Sequence, residues 1–206
     1  MSEKAVSTAA VPGWFGKLPN LGDFASRRLP VAFVRRWDPW LQSGLLAARR
    51  ELGERWQAIY LVAPVCRFWL AAGVAGERGW AGLMMPSVDR AGRHFPLTLA
   101  LPLEPLAAAL AARDWFNALD RTARQVLDVE FTVDDFEDAL TALAHESPAP
   151  PDAASEALAT RWLEHGGCAK AATLWWCGDA AQDTPWRAYA DLPPASAFAS
   201  LIGGAP

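Results

Sequence analysis

The sequence predicts an α/β sandwich, with a central, mainly antiparallel sheet covered by helices on both faces. Three observations predict it. Short aromatic and long-apolar segments separated by glycine-bearing turns fill residues 66–101. Their apolar runs are nearly continuous rather than alternating, which is the pattern of strands buried on both sides. Stretches with three- and four-residue apolar spacing stand before and after them and can supply the cover.

In chain order, residues 1–10 (MSEKAVSTAA) lack the apolar core of a secretory leader and read as a flexible tail, which leaves 11–206 as one domain. A short strand is expected around Trp14–Phe15, followed by a turn-rich loop through Pro19, Asn20 and Gly22. Pro30 suits the first position of a helix carrying Phe33, Val34 and Trp37. Asp38-Pro39 reads as a cap and a second first-turn proline, so a separate helix is expected over Pro39–Gly53 with Trp40, Leu41, Leu45, Ala48 and Leu52 inward.

Cys66–Ala72, Trp80–Met85 and His94–Leu101 then form an antiparallel meander, joined by GVAGERG and PSVDRAGR. Helix is expected over 106–129, broken near Arg113 and restarted by Asp114 as a cap. Thr132 with Asp135 resembles a capping box ahead of Phe136, Leu140 and Leu143. The segment 147–155 (SPAPPDAAS) is a loop within one unit, and 155–163 a short helix ending at Gly166-Gly167. Thr173–Cys177 reads as a buried strand whose Trp175 and Trp176 face opposite sides, and 194–202 as a last short helix.

Composition narrows the function. Among 206 residues 52% are hydrophobic and 20% charged, with eleven tryptophans, which excludes a disordered chain. Twenty-three acidic against nineteen basic residues give a net charge of −4, without the basic footprint of a nucleic-acid binder. No apolar run approaches the roughly 20 residues that span a bilayer. Cys66, Cys168 and Cys177 are too few for a disulfide scaffold, and a reduced, cytoplasmic protein is expected in which they are small buried hydrophobes. Most tryptophans belong in the core, with any exposed one available as an interface anchor.

Candidate chemistry is sparse. Gly16-Lys17 lacks the preceding glycine and the following hydroxyl of a phosphate loop. Ser87, Asp89 and His94 invite a triad, or a small-ligand or nucleotide-sensing site, but eight consecutive residues around one turn rarely aim three side chains at one atom. Asp89 is expected to bond its own turn with Gly92 left-handed. Arg90, Arg93, Arg67, Arg27 and Arg28 would make an anion- or partner-binding patch if they converge. The three cysteines and His94, His145 and His165 lack metal-ligand spacing. These readings assign no catalytic residue, metal or cofactor, and they favour a binding or regulatory protein.

Four strings in combination (WFGKLPNLGDFASRRLP, WDPWLQSGL, WAGLMMPSVDRAGRHFPLTLALPL, and TLWWCGD followed by LPPASAFASL) closely resemble the TagF family of type VI secretion-associated proteins, over about Gly13 to Ile202. The resemblance implies a cytoplasmic, post-translational repressor of the secretion apparatus, acting by binding a forkhead-associated scaffold protein rather than as an enzyme. It implies a compact α/β domain and transfers no catalytic residue. Gly22, Gly92, Pro86 and Pro96 of these strings are expected to fix turns, and Phe24, Phe95 and Leu97 to pack. Lys17, Asp23, Ser87, Asp89, Arg90 and Arg93 are the polar members that packing does not require, and so the candidate interaction residues. Asp23 paired with Arg90 or Arg93 would bring the two main strings together.

Overall fold

The structure is a computed structural model that describes residues 10–146, 148–165, 172–177 and 186–203. Its strands are β1 (Gly13–Gly16), β2 (Ala25–Arg27), β3 (Cys66–Leu70), β4 (Trp80–Met85), β5 (Leu97–Pro102), β6 (Thr173–Cys177) and β7 (Arg187–Tyr189). They form one seven-stranded sheet in the order β2-β1-β5-β4-β3-β6-β7, every neighbouring pair antiparallel. The predicted meander β3-β4-β5 lies at its centre. The tail at 1–9 and Gly166-Gly167 lie outside the described residues.

The side-chain alternation of the strands separates two cores. Trp14, Trp69, Leu83, Leu99, Leu174 and Trp176 face one side. There α3 (Leu106–Ala111), α4 (Arg113–Gln125), α5 (Val133–Leu143) and α6 (Ala153–His165) contribute Leu106, Trp115, Leu119, Phe136, Leu140 and Ala159. Phe15, Phe68, Leu70, Trp80, Ala100 and Trp175 face the other, against Phe33, Trp37, Leu41, Trp56, Tyr60 and Phe198 from α1 (Val31–Leu52), α2 (Trp56–Leu61) and α7 (Phe198–Gly203). The expected double cover is present, and Trp175 and Trp176 divide between the two cores. Nine of the eleven tryptophans are buried, and Trp162 and Trp186 are half-buried, so none is left as an exposed anchor.

Several local expectations are corrected. One helix, α1, runs through Pro39 where two were expected. Phe33, Trp37, Trp40, Leu41, Leu45 and Ala48 form one continuous buried stripe across the proline. Burying each large apolar side chain is worth about 1.5–3 kcal/mol, so the stripe together outweighs the ~3 kcal/mol cost of an interior proline. Asp38 accepts from Gln42 Nε2 at 3.0 Å instead of capping. The break between α3 and α4 falls at Ala112, and Asp114 sits within the first turn of α4 rather than capping it. The Thr132–Asp135 capping box is formed as expected. The strands β2 and β7 and the helix α2 carry too few residues to show a period.

Cys66 and Cys177 overturn the expectation of reduced cysteines, and Cys168 lies outside the described residues. Cys66 and Cys177 stand directly opposite each other in the β3–β6 register, with Cα atoms 4.0 Å apart, and are joined by a disulfide. In sequence they are 111 residues apart, and only the sheet brings them together. Reduction is expected to destabilise the fold by the ~2–4 kcal/mol typical of a disulfide, read as a lower melting temperature with a reductant that Cys177→Ser mimics. Gly82 faces backbone at close range: an added Cβ would lie 2.1 Å from Leu99 O and 2.8 Å from Ala100 Cα. Gly82→Ala is expected to cost at least about 2 kcal/mol in urea denaturation, as overpacking against backbone does.

Candidate functional site

The candidate residues gather where the β1–β2 loop meets the β4–β5 hairpin. The hairpin turn closes through Gly92, whose φ of +74° is the left-handed conformation anticipated for it. Asp89 organises this turn: Oδ1 accepts from the backbone N–H groups of Ala91 and Arg93, each at 2.9 Å. Its Oδ2 accepts from Lys17 Nζ at 2.8 Å and from Arg93 Nε at 2.7 Å. Both Lys17 and Asp89 are buried, so the ion pair is shielded from water. Burial pushes the Asp89 carboxyl up, but the hydrogen bonds from Lys17 and Arg93 outweigh it and hold the group well below the usual carboxylate range.

Further bonds tie the same two segments. Ser87 Oγ donates to Lys17 O at 2.7 Å, Arg90 N to Leu21 O at 3.0 Å, and Arg93 Nη2 to Gly22 O at 2.6 Å. Tyr60 on α2 grips the hairpin from the other side. Its hydroxyl donates to Ser87 O and accepts from Ser87 N, both at 3.0 Å. Burial pushes the Tyr60 phenol above its ordinary value. Asn20 Nδ2 donates to Phe131 O at 2.6 Å, bringing in the α4–α5 loop. Above Lys17 lies Phe24, its ring centroid 4.8 Å from Nζ. It is stacked on Phe15 at 6.2 Å and edge-on to Phe95 at 4.7 Å.

The two strings are brought together as anticipated, though not by Asp23. Asp23 is exposed, and its Oδ1 accepts from Phe24 N at 2.8 Å. The role foreseen for it falls to Asp89, whose position at the turn lets backbone and side-chain donors converge on one carboxylate. Ser87, Asp89 and His94 do not assemble a triad. Ser87 Oγ and Asp89 are engaged as described, and the His94 ring stands edge-on to Trp56 and Tyr60 at 5.1 and 5.4 Å. Burial, with Arg49 beside it, holds the His94 imidazole below its ordinary value.

The five arginines do not form one patch. Arg67 is buried in the sheet, its Nη2 3.2 Å from both Asn117 Oδ1 and Asp120 Oδ2. Arg28 pairs with Glu137, which also accepts from Trp14 Nε1 at 2.6 Å. Arg90 and Arg93 remain at the loop end. Sequence reasoning missed Tyr60, which carries no motif, and placed Phe24 in the packing although it is 47% exposed. Among the described residues no group of His, Cys, Asp and Glu is placed to hold a metal, and no helix is long and apolar enough to cross a membrane.

Residues 13–143, which contain both loops of the brace, match the TagF N-terminal domain, type VI secretion system-associated. The chain belongs to the TagF family. It is therefore a type VI secretion-associated protein. The fold is similar to that of PA0076 from Pseudomonas aeruginosa PAO1, with 36% sequence identity, a TM-score of 0.79 and 95% of each chain covered. No curated protein matches the chain. The GKLPNLGDF and PSVDRAGRHFPL strings of this TagF chain thus form the brace between β1–β2 and β4–β5.

The brace predicts an acid-sensitive element of stability. The folded Asp89 titrates below its unfolded value of 3.8, so its contribution is complete above about that pH and is lost as pH falls toward the folded value. Urea midpoints measured from pH 6 down to pH 2 are expected to fall for the wild type. Asp89→Asn is expected to be less stable at pH 6 and to show a shallower decline.

Proposed function

We propose that the chain is a post-translational negative regulator of type VI secretion assembly in the cytoplasm, acting by binding the forkhead-associated scaffold protein of the system. One observation supports binding over chemistry. The buried polar groups of the two strings, Lys17, Ser87 and Asp89, are engaged with one another and with backbone, and Arg93 bridges Asp89 to Gly22. A side chain that serves as nucleophile or base must be able to reach a substrate, and these hold two loops in register instead. The product of their arrangement is a shaped surface with Phe24, Asp23 and Arg90 on its outside. Family membership supplies the setting, and repression follows if an occupied scaffold surface is withheld from the assembling machine.

The test is direct. Purified full-length chain is expected to bind the purified forkhead-associated protein of the same system with a Kd in the micromolar range or below, by calorimetry, and raising its level in the host is expected to lower secretion. A scaffold that does not bind, together with unchanged secretion, refutes the reading.

A further inference from the structure

The proposal that follows rests on the reading above, that the chain works by binding a protein, and concerns which face it uses and what it meets there. The register places the loops. Cys66 at the start of β3 stands opposite Met84, Met85 at the end of β4 opposite Leu97, and Gly16 at the end of β1 opposite Ala25. The α2–β3, β1–β2 and β4–β5 connections therefore emerge at one end of the sheet, and the Asn20–Phe131 bond draws the α4–α5 loop to it. Phe24, Leu61, Val62, Leu127 and Val129 lie in or beside these loops. They are five of the nine large apolar side chains left exposed among the described residues. Apolar side chains carried on loops at one end of a sheet, with charged side chains in the same loops, have the composition of a protein interface.

Phe24 is held in place. Phe15 and Phe95 fix its ring from two sides and the Lys17 ammonium lies against it. Lys17 is in turn fixed by Asp89. An exposed aromatic that is already immobile loses little entropy when covered, which is the property of an interface hot spot. The charge around it is also distinctive. Lys17, Arg90 and Arg93 stand against the carboxylates of Asp23 and Asp89, an excess of positive charge on a chain whose net charge is −4. Arg90 gives only its backbone N–H to the brace, and its guanidinium lies over Gly22, 3.8 Å from where a Cβ there would sit. In the α4–α5 loop Asp128 and Glu130 flank Val129, so the excess of cationic side chains belongs to the hairpin and the β1–β2 loop, and the acidic pair to the α4–α5 loop.

We infer that this loop end is the docking face of the chain, with Phe24 as its anchor, and that it takes a protein partner presenting an apolar contact flanked by an acidic side chain directed at Arg90 and Arg93. Charge complementarity on the hairpin side selects that partner, and the acidic flank at Asp128 and Glu130 sets its orientation by repelling the same group.

The experiment measures binding of the purified full chain to the forkhead-associated protein at two salt concentrations, and in parallel the secretion of the host carrying each variant. Phe24→Ala is expected to weaken binding about tenfold or more. Arg90→Glu is expected to weaken it and flatten its salt dependence, Arg90→Lys to retain most of it, and Val31→Ala, an exposed site at the opposite end, to leave it unchanged. Thermal melts check the fold of Phe24→Ala; should that variant fail to fold, Arg90→Glu, which removes no contact of the brace, carries the test. Wild-type binding that neither Phe24→Ala nor Arg90→Glu alters overturns the docking face and leaves the scaffold reading standing. If the wild type does not bind the scaffold, yet these variants restore secretion at unchanged protein level, the face stands and the partner is another component. No binding and no change in secretion overturns both.

Discussion

Burial of the sheet on both faces constrains everything else in the fold. Each central strand must supply apolar side chains to two cores, so β3, β4 and β5 have almost no position for a polar residue. Arg67 and Thr98 are the exceptions: Arg67 is matched by Asn117 and Asp120 of α4, and Thr98 Oγ1 accepts from Trp37 Nε1 at 2.9 Å. Polar chemistry is thereby displaced to the ends of the strands, where loops meet. The same pressure explains the tryptophan-rich composition, because large rings fill the space between sheet and helices on both sides. Trp37, Trp40, Phe68 and Trp175 form a contiguous aromatic cluster on one face.

At the strand ends a single buried carboxylate carries the architecture. Asp89 receives four hydrogen bonds, two from its own turn and two from cationic side chains. An isolated buried charge is costly, and one that is fully bonded is specific to one arrangement of its donors. The two loops are consequently locked relative to each other, and α2 is added through Tyr60. Phe24 owes its fixed position to this lock, since its contacts, Phe15, Phe95 and Lys17, belong to the elements so joined.

What could be read in the sequence follows from how local each cause is. The meander, the strand at 173–177, the Thr132–Asp135 box and the left-handed Gly92 all depend on near neighbours or on a plain apolar run. They are present, with the first meander strand ending at Leu70 rather than Ala72 and the last spanning Leu97–Pro102 rather than His94–Leu101. The continuation of α1 through Pro39 depends on a stripe of contacts with the sheet, which no local rule contains. The Cys66–Cys177 bond and the choice of Asp89 over Asp23 depend on register between segments far apart in the chain. Lys17, Ser87, Asp89, Arg90 and Arg93 could be picked out as polar residues in excess of packing needs, and they do converge. Their division into buried brace and exposed rim required the geometry.

The strand order also bears on how the chain emerges from the ribosome. The three middle strands lie close in sequence and can pair as soon as residue 102 is free; β1 is already made by then and can join β5, but the β3 flank waits for a distant segment. The partner of β1 is β5, some 80 residues later, and β3 keeps an open edge until β6 arrives about 100 residues after it. For almost half of its synthesis the nascent protein therefore presents an open strand edge at Phe68 and Trp69, with the aromatic cluster incomplete until Trp175 closes it. Such an edge recruits other chains readily. Translation speed across the α3–α6 stretch, and chaperones that shield strand edges, then become determinants of yield, independent of how stable the finished sandwich is.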